Sequence, residues 1–522
     1  MIPEPFLIIV YKLLSILPLP FWVGAILLII GTFWGIRNLR TAIGLPLLAV
    51  IMTVAVWYMG DAFYNDYVGY HSVLFEADTL QSAWWQVAWF LTVFLLFTPV
   101  IHQQLNARYI RNGSGVLHIF KHGIDDPMLQ KQMRLLFRGC IIVWGVLILI
   151  VVARVRSQIP YFFFPFLGYR AEPWGRGRIG SGFDAFLSLA FYIQLLVTSI
   201  FGVIAALLTD RRLRRQALIF CALTWPYFFF DRTRNTMLAI AIPGILSWAF
   251  LRLRGGFIKK GAVLLAFFLV INAWMGFVLS NRGPGQSVVS AFEEKGFSLT
   301  GDSAVHHEGL NMYEELCWIT SFIEEGKYKP NWGQRYFAEL VNPIPRVIWH
   351  GKPLIGIDYA ILRGQGLRGA GPDTEGSGGV YATISTGLIG QGVVNFGQVL
   401  GPAFAALLMS LWVAVLARLD LQIQELGRLP LYSLGLIMTF NLGRDITLIT
   451  LYPFLFGAGA IWWYNRNRRK ASDQPKASAQ SAAPMPNLKA QATAKPLFAS
   501  RNRSPLFARR ANRISTRVSF KK

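Results

Sequence analysis

The sequence predicts an all-α polytopic membrane protein with eleven or twelve transmembrane helices and one large helical loop outside the membrane. Of its 522 residues, 54% are hydrophobic and only 15% are charged, and the mean hydropathy is +0.42. Apolar runs that approach the roughly 20 residues needed to cross a bilayer recur along the chain. Phe and Trp are abundant, with 39 and 17 residues, as expected for side chains that face lipid or its interface. This composition excludes an ordinary soluble enzyme.

Eleven apolar runs are candidate spans, and several are short enough to need flanking residues or tilt. They are Phe21–Ile36, Thr41–Gly60, Ala83–Ile101, Cys140–Ala153, Phe186–Leu208, Ala217–Phe230, Thr236–Leu251, Gly261–Leu279, Val399–Ala417, Leu431–Leu442 and Ile446–Tyr464. The segment Phe6–Leu17 carries Lys12 and ends before Pro18, which favours an interfacial or short extra helix. The expected count is therefore eleven or twelve.

These spans divide the chain into four parts. Residues 1–280 form an N-terminal bundle, 281–398 a large loop, 399–464 the last three spans and 465–522 a tail. The tail has 15 Lys and Arg against one acid, so +14 of the net charge of +24 lies there. The basic character therefore needs no nucleic-acid partner, and a tail rich in Ala, Ser and Pro is predicted to be disordered.

The distribution of Lys and Arg between alternate loops predicts the orientation. Basic loops such as Arg211–Arg215 and Arg252–Lys260 belong inside by the positive-inside rule. That choice also places the tail inside and the large loop outside.

The large loop is predicted to be structured and to carry the active site. Asp302–Glu325 has the pattern of an amphipathic helix, with Tyr313, Ile319 and Phe322 on one face. Trp332–Val341 is a second predicted helix, ending before a proline. Because loops this long are usually functional or disordered, we expect the site here, with Asp302–Glu325 lying over it as a lid.

Cations at the outer face are the candidate site residues, since a guanidinium presents a planar donor fork to phosphate or carboxylate. The predicted catalytic residues are Arg346, Arg234 and Arg282, and the predicted substrate-binding residues are Lys352, Arg363, Arg368, Arg232, Trp349 and Arg444. Three prolines near Arg346 and Lys352 fix the backbone that carries them. The alternative interpretation is that these cations end helices or are solvated.

Metal and nucleotide signatures are missing from the sequence. It has no phosphate loop, HExxH or GxSxG motif, and the adjacent His306 and His307 cannot point at one ligand from a helix. We therefore expect neither a metal nor a cofactor. Several outer titratable residues remain candidates for a general base: Asp358, Asp373, Glu375, His306, His307 and His350.

Three motifs carry a resemblance to a known family. They are the arginine-containing start of a span at Asp231–Leu238, a Pro-Arg-x-x-Trp-x-x-Lys-Pro segment within Pro343–Pro353, and a Gly…Asn-Phe-Gly entry to a span within Thr386–Gly397. Together they resemble the Wzy-type polymerases of O-antigen and other oligosaccharide repeat units. The match covers the second half of the chain, and the topology is similar throughout.

The resemblance implies a GT-C-like fold and a glycosyltransferase that uses neither metal nor nucleotide. Such an enzyme lies in the bacterial inner membrane and, at its periplasmic face, joins undecaprenyl-diphosphate-linked repeat units into O-antigen or exopolysaccharide for the cell envelope. Its expected partners are that lipid-linked oligosaccharide and membrane lipids, and a polysaccharide chain-length regulator is a candidate partner. The expected cations would stabilise the charge that develops on the lipid diphosphate.

Three other functions stay open at this point. An O-antigen ligase would share the topology and the arginine chemistry. A lipid-linked glycan transporter would need polar residues along the spans, which hold little beyond Asn272, Thr439 and Asn441. A GT-C transferase that uses a polyprenyl monophosphate sugar would use Asp61 and Asp66 as its acids.

Overall fold

The fold is all-α throughout the described part of the chain. This computed structural model describes residues 17–70, 72–110, 124–165, 171, 173–174, 184–230, 234–280, 311–341, 344, 348–349, 351–353, 356–364, 384–423, 425–446 and 448–473. Every regular element within those ranges is a helix, and several of these helices are apolar enough to cross a bilayer. The chain is therefore an all-α membrane protein.

Ten helices precede the large loop in the described ranges. They are α1 (Leu19–Arg37), α2 (Gly44–Val54), α3 (Asp61–Tyr64), α4 (Ala77–Asn106), α5 (Pro127–Val155), α6 (Ile159–Phe163), α7 (Asp184–Leu207), α8 (Arg211–Phe229), α9 (Arg234–Leu251) and α10 (Phe257–Ser280). A π-helical turn at Ala55–Gly60 joins α2 to α3, so these form one continuous stretch.

Six described helices lie within and after the large loop. They are α11 (Met312–Glu324), α12 (Gln334–Val341), α13 (Ile357–Leu362), α14 (Leu388–Leu421), α15 (Arg428–Leu442) and α16 (Leu448–Asp473). The two helices predicted in the loop correspond to α11 and α12. The predicted start of the first helix, residues 302–310, lies outside the described residues.

Each of the eleven predicted runs lies largely within one of these helical stretches, but fewer meet a strict criterion for spanning. Six described segments are long and apolar enough to cross a membrane: Leu19–Arg37, Gly44–Tyr64, Ala77–Asn106, Leu129–Phe163, Ala190–Leu207 and Leu388–Leu421. The apolar part of α9 is shorter, α15 has only 15 residues, and α8 begins with a cluster of arginines. Short length or charge at one end therefore distinguishes these helices from the six spanning segments.

The two ends of the chain contribute little to the described structure. Residues 1–16 and 474–522 lie outside it, and with them most of Phe6–Leu17 and of the predicted tail. Contacts divide the chain into two units, Met1–Arg466 and Asn467–Lys522. All interactions discussed below lie within the first unit.

Two hydrophobic clusters fill the interior of that unit. One combines side chains of α1, α2, α4 and α14 with residues of the loop, among them Leu316 and Tyr359. The other combines α5, α7, α8, α9 and α15. Helices α11 and α13 therefore pack on the first cluster, at one end of the bundle, which we call the loop end.

Helix α11 begins at a side chain supplied by the second span. Asp61 is fully buried, and its Oδ2 accepts the backbone N–H groups of Tyr313 at 2.7 Å and Glu314 at 3.0 Å. Asn65 donates its side-chain N–H to Asp61 Oδ1 at 2.6 Å. The carboxylate thus satisfies donors that a helix N-terminus leaves without partners, and its charge complements the helix dipole.

The predicted apolar face of α11 is confirmed, but its predicted role as a lid is wrong for Met312–Glu324. Tyr313, Ile319 and Phe322 are all buried in the core, and Gln86 Nε2 donates to Thr320 Oγ1 at 3.0 Å in buried surroundings. A lid must release its contacts cheaply, whereas α11 would expose several large apolar side chains, each stabilised by roughly 1.5–3 kcal/mol on burial.

Helix α14 contains a sharp turn at Gly397, whose φ is 79°. At this turn the short segment 388–396 packs back against the long segment 398–421. A Cβ on Gly392 would lie 2.2 Å from the Gly401 carbonyl oxygen, so only glycine allows this approach. The Gly…Asn-Phe-Gly motif is therefore a short helix and a turn that precede the long segment.

Replacing Asp61 with Ala should destabilise the loop end. Loss of a helix N-cap costs about 0.5–2 kcal/mol, whereas Asn caps about as well as Asp. We expect Asp61→Ala to lower the melting temperature of the detergent-purified protein and to speed amide hydrogen exchange across Met312–Glu324. Asp61→Asn should keep most of the melting temperature and most of the protection from exchange. The control is Asp66→Asn, because Asp66 is an exposed carboxylate. Unchanged exchange in Asp61→Ala would refute the cap.

Candidate functional site

The structure describes the side chains of only some predicted site residues. Lys352, Arg363, Trp349 and Arg444 are among them. The other predicted residues, Arg346, Arg282, Arg368 and Arg232, lie outside the described residues. Arg234 is the first residue of α9, and only its backbone is described.

Arg363 forms a bidentate ion pair with a buried glutamate of α11. Its Nε and Nη2 donate to the two oxygens of Glu315, each at 3.1 Å, and the guanidinium carbon lies 4.6 Å from the centre of the Trp318 ring. The Tyr359 hydroxyl donates to the same carboxylate. Burial alone would lower the pKa of Arg363, but Glu315 overrides it and raises the pKa. The guanidinium is therefore largely engaged in holding α13 against α11.

Lys352, Trp349 and Arg444 also make defined contacts. Lys352 is buried and donates from Nζ to the Ile344 carbonyl at 3.0 Å, which closes the proline-rich segment on itself. Trp349 is partly exposed and stands edge-on to Phe337, with 6.2 Å between ring centres. Arg444 is exposed and donates from Nε to Ser385 Oγ at 2.9 Å, so of these cations Arg444 is the one most open to solvent.

The most unusual cation at the loop end is Arg335, which the sequence analysis did not select. It lies in the first turn of α12 and is 5% exposed. Asn395 of α14 fixes this turn, because its Oδ1 accepts the backbone N–H groups of Arg335 at 3.2 Å and Tyr336 at 3.3 Å. Asn395 is held in turn by its own donation to the Gln391 carbonyl at 2.7 Å.

Most of the Arg335 guanidinium lacks acceptors in the described part of the chain. Nη2 donates to the Ile384 carbonyl at 3.4 Å, whereas Nε and Nη1 are buried and make no hydrogen bond. The backbone of Gly356 lies against the group, since a Cβ there would be 3.1 Å from Nη2. A buried donor left without an acceptor costs about 1–3 kcal/mol, and more when it is charged. Such a group in a folded protein calls for an explanation, and a bound anion supplies one.

Acidic and phenolic groups lie near Arg335, but those described accept no hydrogen bond from its Nε or Nη1. Burial raises the pKa of Asp445, and Arg335 opposes that rise electrostatically. Asp445 Oδ1 accepts from the Thr386 hydroxyl at 3.2 Å. Burial also raises the pKa of Tyr359, a phenol that interacts with both Arg335 and Arg363. Arg335 and Arg363 therefore lie close to each other. We call the group around Arg335 the Arg335 cluster: Arg335, Tyr336, Gly356, Asn395 and Asp445.

A second unsatisfied group adjoins these donors. The Tyr336 hydroxyl is buried and has no hydrogen-bond partner among the described residues. Burial raises the pKa of Tyr336, with Asp445 adding to the rise and Arg335 opposing it. A neutral phenol is a hydrogen-bond donor. Arg335 and Tyr336 thus present both a charged and a neutral donor to an acceptor-rich ligand.

Comparison of the chain with known protein families, curated proteins and solved structures finds no match. Among the side chains that the structure describes, no group of three or more His, Cys, Asp or Glu could hold a metal ion. The chemistry of the site is therefore argued from its own residues.

Sequence reasoning missed Arg335 because it could not tell which face of α12 points inward. Arg335, Ala338 and Glu339 share one face by helical spacing, and that face is buried. A soluble helix would bury Phe337 and Leu340 instead, and these are exposed here. The available signal was an Arg and a Glu four residues apart in a predicted helix directly before the proline-rich segment.

Replacing Glu315 with Gln should cost much more stability than the same change at Glu314. Breaking a buried ion pair costs about 3–5 kcal/mol, whereas a more exposed pair contributes about 0–1 kcal/mol. Glu314 is the matched control, because its Oε1 lies 3.7 Å from Arg363 Nη2 and its side chain is more exposed. Thermal unfolding of both variants in detergent measures the difference. Equal losses of stability would contradict the assignment of the pair to Glu315.

Proposed function

We propose that this protein is a membrane glycosyltransferase that joins oligosaccharide units carried on undecaprenyl diphosphate, forming a surface polysaccharide such as O-antigen or exopolysaccharide. The proposed site is the Arg335 cluster, to which we add Arg346 and Lys352, the two cations that the sequence predicted in the proline-rich segment. In this proposal the loop end faces the periplasm of a bacterial inner membrane. No nucleotide sugar is used, because the lipid-linked unit carries its own leaving group.

The observation that carries this proposal is the buried Arg335 guanidinium, of which Nε and Nη1 have no acceptor among the described residues. Each can donate to a phosphate oxygen, which is a strong acceptor. Buried and fixed by Asn395 and Gly356, the guanidinium needs little reorganisation when charge develops on a leaving group. A diphosphate esterified to a membrane lipid is an anion suited to a cation at the end of a membrane bundle.

The proposed reaction is a single displacement at the anomeric carbon of the lipid-linked donor. A hydroxyl of the acceptor sugar forms the new glycosidic bond, while the bond to the lipid diphosphate breaks and its electron pair leaves on the phosphate oxygen. Arg335 and Tyr336 stabilise that oxygen's charge. We assign the hydroxyl proton to Asp358, an exposed carboxylate that accepts from Tyr328 at 2.7 Å; Tyr328 also interacts electrostatically with Arg335.

The size distribution of lipid-linked and surface glycans in cells with and without the gene tests the function. A polymerase predicts that the null strain keeps single repeat units and loses the long ladder. Long chains that accumulate on undecaprenyl diphosphate would instead identify a ligase. Repeat units trapped on the inner leaflet would identify a transporter and make the site residues structural.

Substituting Arg335 should separate activity from stability. Arg335→Met keeps the length of the side chain but removes the unsatisfied charge, so the melting temperature should hold or rise while polymer formation falls about 100-fold or more. Arg335→Lys should restore little, because it loses the planar fork. The control is Lys329→Gln, which removes one exposed charge from the same loop and should leave the ladder intact. A parallel loss of stability and activity in Arg335→Met would make Arg335 structural.

A further inference from the structure

The outward surface of α12 and of the segments on either side of it is apolar. Six large side chains are exposed there, which we call the α12 patch: Trp332, Phe337, Leu340, Ile344, Ile348 and Trp349. Trp332, Ile348 and Leu340 are 76%, 74% and 64% exposed. Large exposed apolar patches of this kind mark interaction or membrane surfaces.

The inward face of the same helix is polar, which reverses the usual arrangement. Arg335 and Glu339 are buried there beside Ala338 and Val341, while Phe337 and Leu340 point away from the protein. In water this arrangement would be unfavourable on both faces, because charge is desolvated and hydrocarbon is hydrated. The outward face, with Phe337 and Leu340, is favourable when lipid rather than water lies against it.

The α12 patch adjoins the lipid-facing surface of α14. Tyr336 packs on Phe396 and on Phe404, with 6.2 Å and 5.4 Å between ring centres. Phe404 belongs to an exposed apolar stripe on a helix long enough to span a bilayer: Val399, Leu400, Phe404, Leu407 and Leu411. The patch therefore lies beside a surface that must itself be covered by lipid.

From this continuity we infer that the α12 patch is a membrane-docking surface, which inserts into the interfacial layer of the same bilayer that α14 spans. Trp at both ends of the patch fits this layer, where amphipathic rings concentrate. The helix lies along the interface with its apolar face in lipid. Exposure of the patch and its continuity with α14 carry this inference, which is independent of the proposed reaction.

Docking in the interface places the buried face of α12 near the lipid headgroups. Arg335 lies on that face, on the opposite side of a helix only two turns long. The ligand class favoured by this surface is an amphiphile with an acidic headgroup, and a fully water-soluble anion gains nothing from it.

Site-directed spin labelling tests the docking directly. Phe337→Cys and Leu340→Cys are made singly in the full chain and spin-labelled, after Cys140, Cys221 and Cys317, all buried, are replaced with Ala. The labelled protein is reconstituted in liposomes of phosphatidylethanolamine and phosphatidylglycerol. Collision rates with oxygen, which partitions into lipid, and with a water-soluble nickel chelate then report the surroundings of each label.

Two matched positions calibrate the measurement. Leu407→Cys represents the lipid-facing stripe of α14, and Lys327→Cys represents the exposed turn after α11. We expect an oxygen-to-nickel ratio at Phe337 and Leu340 several-fold above that at Lys327 and approaching that at Leu407. A ratio equal to that at Lys327 would show a water-exposed face and overturn the inference. Low collision rates with both reagents would also overturn it, because a second copy or another part of the loop would then cover the patch.

Discussion

Two side chains from the membrane helices hold the loop helices in place. Asp61 accepts the first backbone N–H groups of α11, and Asn395 accepts those of α12. Each cap replaces water at a helix end that is largely removed from solvent, where an unmet N–H would be costly. The positions of Glu315 and Arg335 both follow from these caps, because each residue lies in the first turn of a capped helix. The geometry of the loop end is thus set from within the bundle.

The two described arginine centres of this region contrast in how their charge is met. Arg363 shares both oxygens of a buried carboxylate and stacks on an indole ring, an arrangement that offsets the cost of burying both ions. Arg335 is 5% exposed, against 21% for the side chain of Arg363, but two of its nitrogens have no acceptor among the described residues. The fold builds a complete ion pair between Arg363 and Glu315 close by. Arg335, whose donors are not all met, is therefore the better candidate for a ligand site.

The sequence predicted the class of fold and much of its helical content, since hydrophobic periodicity depends on local residues alone. It also predicted the two loop helices and the buried face of α11. It did not predict the role of Asp61, whose partners are 252 and 253 residues away, nor the burial of Arg335. A periodic pattern defines two faces of a helix, but which face is buried depends on whether water or lipid lies outside. For α12, only the tertiary structure shows which face is buried.

The Asn395 cap has a consequence for how the protein is made. Asp61 emerges from the ribosome long before α11, so the first loop helix can meet its cap as soon as it is synthesised. Helix α12 must wait, because Asn395 follows Arg335 by 60 residues and lies just before the turn at Gly397. The turn that carries the guanidinium is therefore capped only after residue 395 has been synthesised and α14 has entered the bilayer. Biogenesis thereby delays assembly of the charged centre until most of the helices around it exist.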